Sequence, residues 1–115
     1  MTPKTSPWGK VQFCEQIAEG IVSVSTAGHG GLKLSAKRNN QIPEEARIHT
    51  GWYEEDCEWA IVALVFPEEF PTVPASAIVQ CCKEYNPAAY EAITGEKVKP
   101  EESWSLRNHM RGYVA

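Results

Sequence analysis

Long apolar runs are missing from this 115-residue chain. The longest, Trp59 to Phe66, is far shorter than the roughly 20 residues a membrane-spanning helix needs. The first residues, MTPKTSP, are polar and lack the apolar stretch of a secretory signal. Both absences point to a cytoplasmic protein with no membrane partner. An excess of positive charge is missing as well. Eleven Lys and Arg face 15 Asp and Glu, for a net charge of −4. A surface that neutralises phosphates needs the opposite balance, so nucleic acid is not expected as a direct partner.

The classical ligand spacings are also absent. The cysteines are Cys14, Cys57, Cys81 and Cys82. None forms a CxxC pair, and an adjacent pair such as Cys81-Cys82 is a poor disulfide candidate. In a reducing compartment all four are expected as free thiols. The histidines, His29, His49 and His109, lack the i,i+4 spacing of helical metal ligands. The glycines around His29 are not followed by the Lys-Ser/Thr of a phosphate-binding loop. No metal and no cofactor is implied, and there is no internal repeat.

What remains is an ordinary globular composition, with 43% apolar and 23% charged residues. The length fits one domain, with residues 1–7 as a flexible lead-in and 8–115 as the folded unit. Charge is unevenly spread. Residues 1–40 carry net +3, residues 41–80 carry net −7, and residues 81–115 balance. A dipolar surface of this kind can steer a charged partner.

The chain reads as α+β. "KVQFCEQI", "IVSVST" and "LKLS" predict a three-stranded antiparallel meander. Its turns fall at Glu19-Gly20 and in "AGHGG", where Gly28, Gly30 and Gly31 can take positive φ. Val22 and Val24 fall on one face of the second strand, Ser23 and Ser25 on the other. A polar link with a helical turn at Pro43–Arg47 follows. In "TGWYEEDCEWAIVALVF", Thr50 reads as the cap of a helix starting near Trp52 and ended by Pro67. Glu54, Glu55 and Asp56 then lie near its positive end. A buried strand over Trp59–Phe66 is the alternative, since short apolar runs have no diagnostic period. "ASAIVQCCKEY" predicts a helix with Ala77, Ile78, Cys81, Cys82 and Tyr85 on one face. "NPAAYEAITG" carries its own start and stop, Asn86-Pro87 and Gly95. A last helix turns Trp104 and Leu106 toward the body with Met110 alongside. The architecture is thus an N-terminal meander packed against three or four C-terminal helices.

Two clusters could carry chemistry. His29, accessible among glycines, could act as a general base; the plainer reading is a hairpin-turn residue. Asp56 shares the predicted helical stripe with Trp52 and Trp59. A carboxylate held beside apolar rings becomes a proton donor. An acid–base pair of His29 with Asp56 or Glu54 follows as one candidate. A Cys57–His29 dyad is weaker, because Cys57 lies within the predicted helix and not at its start. The acids Glu54, Glu55 and Glu58 could instead form a docking face. The tryptophans Trp8, Trp52 and Trp104 lie beside polar stretches, where interface anchors occur. Trp59 reads as core, and Tyr113 completes the aromatic set.

"SPWGKVQ", "GIVSVSTAGHGGLKLS" and "GWYEEDCEWAIVALVFPEEF" resemble a family of small uncharacterised domains of unknown function found in bacteria, plasmids and phages. The resemblance covers most of positions 6–70 and carries no activity. It implies a mobile-element setting, where small proteins serve in counter-defence. It also implies that the HGG turn and the Tyr53–Trp59 block lie close in space. The expectation is an interaction protein acting on a host or defence complex, for instance CRISPR or restriction. The alternatives are a small enzyme built on His29 and a structural accessory domain.

Overall fold

The computed structural model describes residues 2–110, with side chains through Asn108. The expectations placed on the side chains of His109 and Met110 and on Tyr113 lie outside the described residues. Thr5–Ser6 (β1) and Gly9–Lys10 (β2) pair as a short antiparallel hairpin. The lead-in expected to be flexible therefore includes paired backbone. Phe13–Ala18 (β3), Ile21–Ser25 (β4), Gly30–Leu34 (β5) and Trp52–Glu54 (β6) form one sheet in that order, every pair antiparallel. Three of these strands are the predicted meander, and the fourth was read as helix.

Trp52–Glu54 is extended because Gly51 turns the chain with φ +81°. The three residues then pair with β5 in the register Lys33 to Trp52, Leu32 to Tyr53 and Gly31 to Glu54. In this register Tyr53 alternates inward and is fully buried. Its hydroxyl donates to Asn39 Oδ1 at 2.6 Å and accepts from the Ile48 amide at 2.9 Å. One aromatic ring thus anchors the edge strand to the polar connection between β5 and β6. That connection contains a helix absent from the sequence reading, Ala36–Asn39 (α1), with Ser35 Oγ accepting from the Arg38 amide. The turn expected at Pro43–Arg47 is present, closed by the Ala46 amide on the Pro43 carbonyl at 2.9 Å.

The helix of the acidic block begins only at Trp59 and runs to Val65 (α2). Ala60, Ile61, Val62 and Ala63 are all buried along it. Helix wins over the buried-strand alternative for this run. Ala75–Tyr85 (α3) and Pro87–Thr94 (α4) match their predicted segments, and Trp104–Met110 (α5) closes the described chain. Gly95 ends α4 in the left-handed conformation, φ +78°. Asn86 makes no side-chain cap; its amide nitrogen donates instead to the Cys57 carbonyl at 2.9 Å. The inward face of α3 is narrower than predicted. Ile78 and Cys82 are buried, whereas Ala77 and Tyr85 are exposed.

The core lies between the helices and one face of the sheet. Ile21, Leu32, Leu34 and Tyr53 meet Ala60, Ile61, Val62, Cys82 and Tyr90 there. By register, Val22 and Val24 point to the opposite face with Gly31 and Lys33. Val24 is nonetheless buried. The valines and the leucines therefore do not share one apolar face. Among the described residues, no helix is long and apolar enough to cross a membrane.

Candidate functional site

Two turns meet at one end of the sheet. The first joins β4 to β5. The Thr26 amide donates to the His29 carbonyl at 2.7 Å, and the Thr26 hydroxyl donates to the same oxygen at 2.8 Å. The hydroxyl oxygen also accepts from the His29 amide at 3.1 Å. This double closure holds His29 at the hairpin tip with its side chain 40% exposed. The second turn joins β6 to α2. Glu54 Oε1 accepts from the amides of Asp56 and Cys57 at 3.0 and 3.2 Å. Glu58 Oε1 accepts from the Glu54 amide at 3.0 Å. The charge crowded before α2 is therefore a self-capped turn, in which carboxylates satisfy N–H groups that no strand or helix reaches.

This bonding divides the acids. Glu54 and Glu58, docking candidates in the sequence, each commit one oxygen, Oε1, to local backbone. Glu55, 52% exposed, and Asp56, also exposed, carry the available charge. Asp56 does not share an inward stripe with Trp52 and Trp59, because no helix exists there to align them. Asp56 is exposed, where the predicted stripe would have set it beside apolar rings.

β5 is one short strand, so its start brings the two turns together. The Glu55 amide donates to the Gly30 carbonyl at 3.0 Å. His29 Nε2 then lies 3.7 Å from Glu54 Oε2, and Nδ1 lies 3.5 Å from Glu55 Oε2. The HGG turn and the acidic block are neighbours, as the resemblance implies. The contacts are longer than the roughly 2.7–3.2 Å of an N–H···O bond. His29 is therefore hydrogen-bonded to neither Glu54 nor Glu55. One ligand atom each from His29, Glu54 and Asp56 lies within 4.8 Å of the others. These are the residues that could hold a cation, and the sheet alone juxtaposes them.

None of Gly28, Gly30 and Gly31 has the positive φ expected of the turn. Gly30 and Gly31 serve close approach instead, while a Cβ on Gly28 would meet nothing within 4 Å. A Cβ on Gly30 would stand 2.6 Å from the Val24 carbonyl oxygen. One on Gly31 would meet the Tyr53 carbonyl oxygen and stand 2.5 Å from Trp8 Cη2. The indole of Trp8 thus lies flush on the outer face of the sheet. It meets Trp52 edge-on, ring centroids 5.6 Å apart, and approaches His29 at 6.4 Å. Lys33 sits over Trp52 at 5.0 Å. Trp104 is not part of this group. It is 51% exposed and packs on Tyr85, with centroids 6.0 Å apart, while Leu106 turns toward the core.

Cys57 lies in the capped turn, its Sγ 4.0 Å from Glu54 Oε1. Burial first, then the charges of Glu54 and Glu58, push its thiol up to about 11. A thiolate nucleophile paired with His29 is disfavoured by that surrounding charge. All four cysteines are free, and burial pushes the Cys82 thiol up to about 12.

Beside the acidic tip, on the helix side of the sheet, an open cleft of about 360 Å³ is lined by Ser23, Ser25, Leu32, Trp59, Phe70 and Val73. Glu55 borders it. Phe13, 66% exposed, pairs with Ser25 in register and so extends the same sheet face. Sequence reasoning missed this cleft because it assigned Trp59 to the core and Ser23 and Ser25 to no site. The exposed Phe13 on an edge strand is the one signal that alternation alone could have supplied.

No curated protein and no solved structure matches the chain at a significant level. One family model does match, over residues 1–112, well beyond the stretch on which the sequence resemblance rests. Its span takes in the HGG turn, the capped acidic turn and the C-terminal helices alike, and the chain accordingly belongs to the family described as a domain of unknown function, DUF7007.

Proposed function

We propose that this protein acts by protein–protein interaction, docking a partner segment that combines cationic side chains with an apolar anchor. Glu55 supports this reading by its position. Its exposed carboxylate borders both the acidic tip and a cleft floored by Leu32, Trp59, Phe70 and Val73. Apolar floors with charged rims are the ordinary anatomy of a recognition surface. In the mobile-element setting that the resemblance implies, the partner is a host or defence complex such as a CRISPR or restriction assembly. Its basic surface normally receives phosphates, and the chain offers carboxylates in their place. His29 sits on an open hairpin tip with its side chain 40% exposed, a position that does not exclude water as an acid–base site would.

The test reverses charge only where it is free. The double variant Glu55→Lys, Asp56→Lys retains the fold by circular dichroism, because neither side chain caps the turn. Capture of the partner complex from host lysate falls tenfold or more and becomes less salt-sensitive. Unchanged capture by the double variant removes the proposal.

A further inference from the structure

We propose that the tip formed by the β4–β5 and β6–α2 turns is a divalent-cation site, with His29, Glu54 and Asp56 as protein ligands. One imidazole nitrogen and two carboxylate oxygens converge within 4.8 Å of one another. Around an ion with bonds of about 2.0–2.2 Å, neighbouring donors stand roughly 3–4 Å apart. His29 Nε2 and Glu54 Oε2, at 3.7 Å, have that separation. It is too long for a hydrogen bond, so the ring and the acid are poised side by side without consuming each other.

Two further observations point the same way. Glu54 Oε1 is held by the Asp56 and Cys57 amides, which leaves Oε2 as a single oriented donor. The other ring nitrogen of His29, Nδ1, faces Glu55 Oε2 at 3.5 Å. A carboxylate on the side of the non-ligating nitrogen can become the outer partner of a metal-bound histidine once ion binding draws the ring in and the 3.5 Å gap closes to a hydrogen bond. Glu55 is thus the positioning residue. A mixed nitrogen and oxygen set on an open tip suits first-row ions such as Mn²⁺ or Zn²⁺ better than Mg²⁺, with water completing the shell. The inference does not rest on the docking reading, because the chain is titrated without any partner.

Mn²⁺ is the probe of choice, since the four free thiols compete for Zn²⁺. Calorimetric titration of the full chain shows saturable one-to-one binding. His29→Ala and Asp56→Asn each weaken it tenfold or more. His49→Ala leaves it unchanged, because His49 faces Glu44 alone at 3.6 Å. Substoichiometric Mn²⁺ added to the unsubstituted chain broadens the NMR signals of His29 and Asp56 first, a readout independent of any variant's folding. Absence of saturable binding, binding retained in both variants, or broadening centred elsewhere overturns the assignment.

Discussion

Tyr53 has a ring that belongs in the core and a hydroxyl that must be satisfied there. It is fully buried, and it bonds both the Asn39 side chain and the Ile48 amide. Burial raises its ionisation above the ordinary tyrosine value, while the Ile48 bond opposes that shift. Tyr53→Phe keeps the ring and strands two polar partners. The expected cost is about 1–3 kcal/mol, the penalty for unsatisfied buried groups, read as a lower urea midpoint with unchanged slope. A cost under about 0.5 kcal/mol, within the error of such curves, would mean water replaces the hydroxyl. At this scale composition is a poor guide. The pattern around Tyr53 fits a helix as well as a strand until a partner strand is known.

The acidic turn is an element with no regular secondary structure, made by side chains bonding backbone. Glu54 and Glu58 hold it from both ends. Glu54→Ala frees two amides and misplaces the entry to α2. A loss of about 0.5–2 kcal/mol is expected, the range for removing a helix cap. Glu55→Ala, which breaks no such bond, serves as the control and stays within about 0.5 kcal/mol in thermal melts. Equal losses for the two variants would contradict the division of roles. The sequence pattern sets the acids before the apolar helix and predicts its start near Trp52, whereas the helix begins at Trp59. Negative charge before an apolar run is what a helix start and a capped turn have in common. Gly51 in the left-handed conformation is what separates them.

Across the whole molecule, the last helix is tied to the body by polar contacts. Lys83 of α3 donates to Glu102 at 3.0 Å, just before α5. Ser103 is buried and donates to the Glu84 carbonyl at 3.1 Å. The Lys99 amide, then Lys83, hold the Glu102 carboxyl below its ordinary 4.5. A depressed carboxyl contributes stability that is fully present above its unfolded value. That contribution is lost as pH falls through the lower folded value. Thermal stability of the native chain should therefore drop more steeply below pH 4.5 than that of Glu102→Gln, with the two curves parallel at neutral pH. Curves parallel throughout would show that Glu102 has no such coupling. The α+β division, the order of strands before helices and the segments of α3 and α4 were legible in sequence, because each carries its own period or punctuation.

Sequence by itself determined which segments could be apolar, where charge could gather and where the chain must turn, since these depend on residues a few positions apart. Tertiary structure alone decided that β6 exists, that Trp8 lies on Gly31, and that His29 stands among Glu54, Glu55 and Asp56. The reason is strand pairing. A residue's partner across a sheet is set by register between distant segments, and no local pattern records it.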